Sequence, residues 1–333
     1  MRVAIFGRTS ILYKTIQLLV KSNNEIVLIG TCKEAPEYKT DAVEFELLAQ
    51  KLKVPFFNTT KINSEEIVYI IKKLQPDIAI SFNWLTIIGD DVISNIKYGI
   101  LNAHCGDLPR YRGNACPNWA ILNNEKKIGI TIHYMEPNEL DSGDIVIKEF
   151  YHINDATTIT EFYEYIEDKI PVLFLEAINK IDNNKDCGES QSKNKKDVLR
   201  CYPRIPSDSL INWNATNKEI DTLIRASCNP FAGAYTYYEK LRIFITKARR
   251  EEYEYPSIVI PGQVIKVNKK MDEVAVATGD GVIIIEEIYL ENKIKVSVSQ
   301  ILASTRIRLG YVLEDKIYQL EKRIEELEKN KKL

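Results

Sequence analysis

Asn102 and His104 stand two residues apart at the end of a short apolar run, Ile100 and Leu101. On a strand, residues i and i+2 point to the same face, so an amide and an imidazole project side by side from one strand end. A neutral amide can donate to a developing oxyanion, and an imidazole titrates near neutral pH, so the pair suits attack on a carbonyl with movement of a proton. Further along, the loop EPNELDSGDI carries Asp141 just before a glycine. A carboxylate there can fold back on His104, to orient it or hold it charged.

Between these residues lies DLPRYRG, a Pro/Gly turn whose two guanidinium groups, Arg110 and Arg112, suit an anionic ligand. NACPNWAIL then reads as a helix. GITIHYM reads as a strand, with Ile130, Ile132 and Tyr134 alternating with Thr131 and His133. His133 is either a support for the pair or a satisfied structural histidine. Each feature alone is ordinary: an Asn-x-His pair is commonly structural, and LDSGDI is an unremarked turn.

In this order and spacing the features resemble the folate-dependent formyltransferase family, whose members carry an Asn-x-His pair, a Leu-Pro-x-Tyr-Arg-Gly-like loop and a Leu-Asp-x-Gly loop. The resemblance implies formyl transfer from 10-formyltetrahydrofolate to a primary amine, without a metal, with Asn102, His104 and Asp141 as the catalytic set. It also implies a pterin crevice built largely from main chain in the loop Phe82 to Ile88 and in the loop before Asp141. Phe82, Trp84, Leu85, Ile87, Pro137, Asn138 and Leu140 become the cofactor candidates. For Trp84 and Leu85, core packing is the competing reading.

The family includes enzymes acting on methionyl-tRNA, on glycinamide ribonucleotide and on nucleotide-linked amino sugars. Asn114 and Asn118, following Arg112 and Gly113, resemble the nucleotide-sugar members more than the tRNA enzymes. The expected acceptor is therefore a nucleotide-linked 4-amino-4,6-dideoxyhexose-type sugar of surface glycans, an intermediate of pseudaminic acid synthesis being one case. Arg110, Arg112, Gly113, Asn114 and Asn118 are the substrate-binding candidates. Methionyl-tRNA formyltransferase is the alternative, and a noncatalytic nucleotide- or RNA-binding module is a third reading, against which the intact catalytic set argues.

The elements that must position these residues follow from periodicity. RVAIFG, a helix over ILYKTIQLLVKS and NEIVLIGTC open the chain as β-α-β. The first turn is GRTSIL rather than G-x-G-x-x-G, so a dinucleotide site is not expected, although the amides of Gly7 to Thr9 can meet an anion. Further helices over DAVEFELLAQKL and SEEIVYIIKKLQ, the latter with Ser64 as N-cap, alternate with strands ending at PDIAISF and YGILNAH. In open α/β sheets ligands bind beyond the carboxyl ends of such strands. A long amphipathic helix covers 157–181, with a kink or break expected at Pro171.

The expected architecture is α/β: a Rossmann-like, mostly parallel sheet with flanking helices over residues 1–181, then a polar linker over 182–199. Short alternating strands separated by Gly/Pro turns over 200–310 predict an OB-like β-barrel, whose NPFAGAY, PGQVI and ATGDGVIIIEEI segments resemble the C-terminal domain of methionyl-tRNA and some sugar formyltransferases. A helix over 311–333 ends the sequence, with Leu313, Ile317, Leu320, Ile324 and Leu327 at heptad a and d spacing, and predicts a homodimer.

Composition bounds the function classes. At 333 residues, 45% hydrophobic and net charge −2, the chain is long enough for a full core and has no overall basic field for nucleic acid. An OB-like barrel can read RNA, but residues 201–310 hold 15 Lys/Arg against 13 Asp/Glu, a net of +2. The cysteines at 32, 105, 116, 187, 201 and 228 lack metal-site spacing and the density of a disulfide scaffold. Cys105 would point away from the Asn102 and His104 face, which argues against a nucleophile. With no signal-like segment and no apolar run of spanning length, the expected location is cytoplasmic, away from membranes.

Overall fold

The computed structural model describes residues 1–35, 38, 40–183, 188–310 and 313–331, and falls into two compact units, Met1–Arg204 and Ile205–Leu333. In the first, β1 (Arg2–Gly7) is buried along nearly its whole length, and the Thr9 hydroxyl starts α1 (Ser10–Lys21) by accepting from the Leu12 amide. β2 (Glu25–Thr31), α2 (Ala42–Leu52), β3 (Phe56–Asn58), α3 (Glu65–Leu74), β4 (Ile78–Phe82), α4 (Asp90–Ile93) and β5 (Ile100–His104) follow. Asp41 and Glu44 close α2 with a reciprocal capping box, whereas Ser64 occupies the N-cap of α3 without a side-chain bond. Glu65 and Glu66 in that first turn favour the positive end of the helix dipole instead.

After β6 (Arg112–Gly113) and α5 (Cys116–Leu122), β7 (Lys127–Tyr134) and β8 (Ile145–His152) complete a seven-stranded sheet in the order β3-β2-β1-β4-β5-β7-β8. The pairs from β3 to β5 are parallel, and β7 runs antiparallel to both neighbours. α6 (Ile159–Asp182) runs unbroken through Pro171, where the sequence predicts a kink or break. The reason is packing: Phe162, Ile166, Ile170, Leu173 and Phe174 on its inner face are fully buried. At about 1.5–3 kcal/mol each, they outweigh the roughly 3 kcal/mol that an interior proline costs.

The polar stretch expected as a linker over 182–199 is only partly one. Residues 184–187, including Cys187, lie outside the described residues, but from Gly188 the chain is docked on the first unit. Glu189 and Ile145 exchange backbone hydrogen bonds of 2.9 and 2.8 Å, Gln191 is buried, and β9 (Arg200–Cys201) pairs in parallel with β6. Backbone pairing and one glutamine hold the segment, and neither leaves an apolar signature in the sequence.

In the second unit α7 (Asn217–Arg225) starts with a Thr216/Glu219 capping box, and β10 (Ala234–Tyr238), β11 (Leu241–Glu251), β12 (Val264–Asn268), β13 (Glu273–Ala277) and β14 (Val282–Leu290) form a barrel-like antiparallel sheet in the order β10-β11-β14-β13-β12. β15 (Lys295–Val296) adds to β14. Alternate residues Val274, Val276, Ile283 and Ile285 share one core with Trp213, Ile220 and Ile224, and the Trp213 indole donates to the Thr236 hydroxyl at 2.9 Å. KVSVSQILA (295–303) alternates in the manner of a strand but becomes helix after Val296, because Ser297 caps α8 (Val298–Ile301) by accepting from the Gln300 amide.

α9 (Leu313–Lys331) is the expected terminal helix, with Ile317, Leu320, Ile324 and Leu327 exposed; the Leu313 side chain and residues 311, 312, 332 and 333 lie outside the described residues. Among the described residues no helix is long and apolar enough to cross a membrane.

β1 and β4 approach so closely that a Cβ on Gly7 would lie 2.1 Å from the Phe82 carbonyl oxygen. Gly7→Ala must push the two central strands apart at their carboxyl ends, an overpacking cost of roughly 1–3 kcal/mol. Urea unfolding of the full chain should show a lowered midpoint. An unchanged midpoint would mean that this strand end relaxes without loss.

Candidate active site

The site begins with register. β5 lies parallel to β4, with Ser81 beside Asn102, and antiparallel to β7, with Asn102 opposite His133 and His104 opposite Thr131. Directly opposed residues project to the same face. Asn102, His104 and His133 therefore share one face at the carboxyl end of β5, where the chain leaves the sheet for the loop leading to β6. The Asn102 amide nitrogen is 3.2 Å from His133 Nε2, and His133 Nδ1 is 2.7 Å from the Tyr134 carbonyl.

Asp141 arrives from the β7–β8 loop. Its Oδ2 accepts from the Gly113 amide at 2.8 Å and lies 3.5 Å from His104 Nδ1, while Oδ1 lies 3.6 Å from His133 Nε2. The side chains of His104 and Asp141 are buried, at 9% and 8% exposure, so this is a desolvated contact. On its far side His104 Nε2 is 2.6 Å from the Tyr111 carbonyl oxygen. Only an N–H can approach a carbonyl so closely, so Nε2 carries a proton and Nδ1 is the nitrogen that titrates.

Burial pushes the His104 imidazole below its ordinary value, with the Asp141 charge and the Tyr111 carbonyl pulling the other way. For Asp141, burial works to raise the carboxyl, but the His104 charge, the His133 contact and the Gly113 amide bring it down to about 2. Near neutral pH the pair is thus a carboxylate facing an imidazole ready to accept a proton. Burial pushes the Cys105 thiol up to about 12, so no thiolate competes.

Comparison with known proteins decides the family. Residues 1–178 match the family described as formyl transferase, and residues 205–306 match its C-terminal domain. The chain belongs to the formyl transferase family. It is 30% identical over 318 residues to the methionyl-tRNA formyltransferase of Alkaliphilus metalliredigens, covering 94% of this chain and 98% of that protein. To the methionyl-tRNA formyltransferase of Acetivibrio thermocellus it is 27% identical over 319 residues, covering 94% and 99%. Among solved structures it resembles the Helicobacter canadensis N-formyltransferase complexed with folinic acid and dTDP-3-aminofucose, with TM-score 0.60 and 20% identity over 87% of this chain and 100% of that one. It also resembles HypX from Aquifex aeolicus in complex with tetrahydrofolic acid, with TM-score 0.63 and 18% identity over 91% of this chain and 47% of that one. At these identities the structural likeness shows the fold.

In a formyltransferase the remaining candidates divide by where their side chains go. Leu85, Ile87 and Leu140 are 50%, 60% and 42% exposed on the two loops expected to hold folate, and Asn138 is exposed beside the half-buried Pro137. Exposed apolar groups flanking a strand-end crevice fit a flat heterocycle. Trp84 and Phe82 do not join them. Trp84, half-buried, packs edge-on against Phe6 and Phe57 at centroid distances of 6.4 and 6.3 Å, and Phe82 is buried, which leaves its main chain to meet a ligand.

The two arginines expected to meet an anion are engaged within the first unit. Arg110 pairs with Glu125 at 2.8 Å, and Arg112 donates from Nε and Nη2 to Gln191 Oε1 at 3.2 and 2.6 Å. Gly113 serves Asp141 through its amide, Asn114 is exposed, and Asn118 is buried inside α5. Arg112 thus spends its Nε–Nη2 edge on Gln191, and Arg110 spends Nη2 on Glu125.

Two features escaped the sequence reading. Gly106 must lack a side chain, because a Cβ there would lie 2.4 Å from His104 Nε2 and 2.3 Å from the Tyr111 oxygen, between the two bonded atoms. Gln191, in the stretch expected as linker, donates its amide to the Asp141 and Gly143 carbonyls at 2.9 and 2.7 Å while its oxygen holds Arg112. The only sequence signal was a lone glutamine in a polar run.

Gln191→Leu keeps the size of the side chain but removes both hydrogen bonds to the loop that carries Asp141. Turnover should fall roughly 10- to 100-fold, as for a displaced reacting group, while the Michaelis constant for the formyl donor changes little. Steady-state kinetics beside a thermal melt checks it. Unchanged turnover in a folded variant would make Gln191 a structural clasp only.

Proposed function

We propose that this formyltransferase moves the formyl group of 10-formyltetrahydrofolate to the primary amine of a nucleotide-linked amino sugar of the 4-amino-4,6-dideoxyhexose type, an intermediate of pseudaminic acid synthesis being one such acceptor. When bound, the folate supplies a formyl group on a nitrogen that can leave. Asn102 spends one amide hydrogen on His133 and has a second to donate to the oxyanion that forms as the amine attacks. His104 takes the amine's proton at Nδ1, the resulting imidazolium is held between the Asp141 carboxylate and the Tyr111 carbonyl, and the same proton is available to the folate nitrogen as the oxyanion collapses and the old carbon–nitrogen bond breaks, so that tetrahydrofolate leaves neutral. Asp141 orients both imidazoles and lowers the cost of that charge.

The observation that carries the choice of a small acceptor is the near-balanced charge of residues 201–310, 15 Lys/Arg against 13 Asp/Glu, with Arg249 bound to Glu273 and Glu286 and Lys247 to Glu286. A tRNA enzyme gains from a clear excess of cations to neutralise phosphates. A second reading, methionyl-tRNA as acceptor, is favoured by the full-length identity to methionyl-tRNA formyltransferases. The reading is completed by a cytoplasmic location and a homodimer.

A mass-spectrometric assay with 10-formyltetrahydrofolate, a panel of nucleotide-linked amino sugars and charged initiator tRNA tests the acceptor. A gain of one formyl group on a sugar and none on the tRNA is expected; the reverse overturns the sugar reading. In the same assay His104→Asn or Asn102→Ala should cost roughly 10²–10⁴-fold in turnover with folate binding retained. Near-normal turnover removes that residue from the mechanism.

A further inference from the structure

α9 carries an apolar stripe that the folded chain leaves open. Ile317, Leu320, Ile324 and Leu327 are 46%, 53%, 55% and 48% exposed, and they recur at steps of three, four and three. With Ile317 and Ile324 at position a, Leu320 and Leu327 fall at d, and by sequence Leu313 falls at the preceding d. β-Branched residues at a with leucine at d favour two parallel strands over higher oligomers.

The flanking charges choose the direction. The e positions are Glu314, Glu321 and Glu328, and the g positions are Lys316, Arg323 and Asn330. In a parallel pair each g faces the e of the following heptad in the other helix, which brings Lys316 toward Glu321 and Arg323 toward Glu328, twice over by symmetry. In an antiparallel pair e faces e and g faces g. That arrangement sets glutamate against glutamate and lysine or arginine against lysine or arginine, a repulsive pattern at both edges. The same residues that cover the stripe thus exclude the competing orientation.

Resting on the homodimer reading above, we propose that α9 pairs with α9 of a second copy of this chain as a parallel, in-register two-stranded coiled coil. The helix is about 28 Å long and its apolar seam spans little more than two heptads, so it associates reversibly and depends on each layer of the seam. In a parallel pair both chains enter the coiled coil from the same end, related by a twofold axis along it.

The test uses the full-length protein. Light scattering should give twice the chain mass, and Leu320→Asp combined with Ile324→Asp, on an exposed face, should halve it while circular dichroism of the barrel is unchanged. For direction, Ile317→Cys and Leu327→Cys, an a and a d position that would face each other in an antiparallel pair, are oxidised separately and as an equal mixture, against the unsubstituted chain as background. The proposal expects each variant to cross-link with itself and no 317–327 link in the mixture. Cross-linking only in the mixture would overturn the parallel arrangement and leave the dimer standing. A full-length monomer would overturn both, and a dimer that survives the double aspartate substitution would place the contact elsewhere and overturn the coiled coil.

Discussion

The Asp141 carboxylate touches each of the parts that make up this site: one oxygen reaches His104 and the Gly113 amide, and the other reaches His133, which in turn meets Asn102. β5, β7 and the loop leading into α5 therefore meet through one buried anion, and a buried anion must be fully compensated or it neutralises. Its ionised state is stabilised by the Gly113 amide hydrogen bond and by the positive charge that His104 takes up on protonation. Before that, His104 Nδ1 carries no hydrogen and His133 Nε2 accepts from Asn102, so the carboxylate acts on the imidazoles through its charge, while the Tyr111 and Tyr134 carbonyls fix each ring by its other nitrogen.

Holding Asp141 there takes backbone strain. Its φ of 51° is left-handed, which costs a residue other than glycine about 1–2 kcal/mol. Asn83, Tyr111, Ala115 and Asn138 share that conformation, and all lie in loops at the carboxyl ends of β4, β5 and β7. Strain of this kind persists only where surroundings over-determine it. Here Gln191 supplies the restraint, by gripping the carbonyl of Asp141 itself. The enzyme thus draws on a segment beyond α6 to keep a loop of the sheet in place.

What was legible in the sequence was whatever repeats. The two-residue period at Asn102 and His104 gave their shared face, the alternation in β7 gave the partner strand, and the runs of β1, β2 and β4 gave the parallel sheet. Asp141 was legible only through its loop's resemblance to a family motif. Gln191 was not legible, since its bonds run to carbonyls and an arginine far away in the chain. Trp84 was undecided because the ring that covers it, Phe57, belongs to a strand not next to it in sequence. At Pro171 the helix does not break, because a buried face outweighs the local rule, and residues 297–301 misled because Val and Ser alternate in strands yet serine also caps helices.

The chain has three histidines, at 104, 133 and 152, so nitrogen-15 labelling of histidine followed by NMR titration isolates the central claim, that a carboxylate at Asp141 sets the proton affinity of a buried His104. Because the folded imidazole is lowered by burial and raised by Asp141, His104 should be neutral at pH 7.5 with its proton on Nε2, and titrate below the ordinary 6.5. In Asp141→Asn, where the raising charge is gone, the midpoint should drop further. An imidazolium that persists through pH 7.5, or a midpoint that Asp141→Asn leaves in place, would contradict the account.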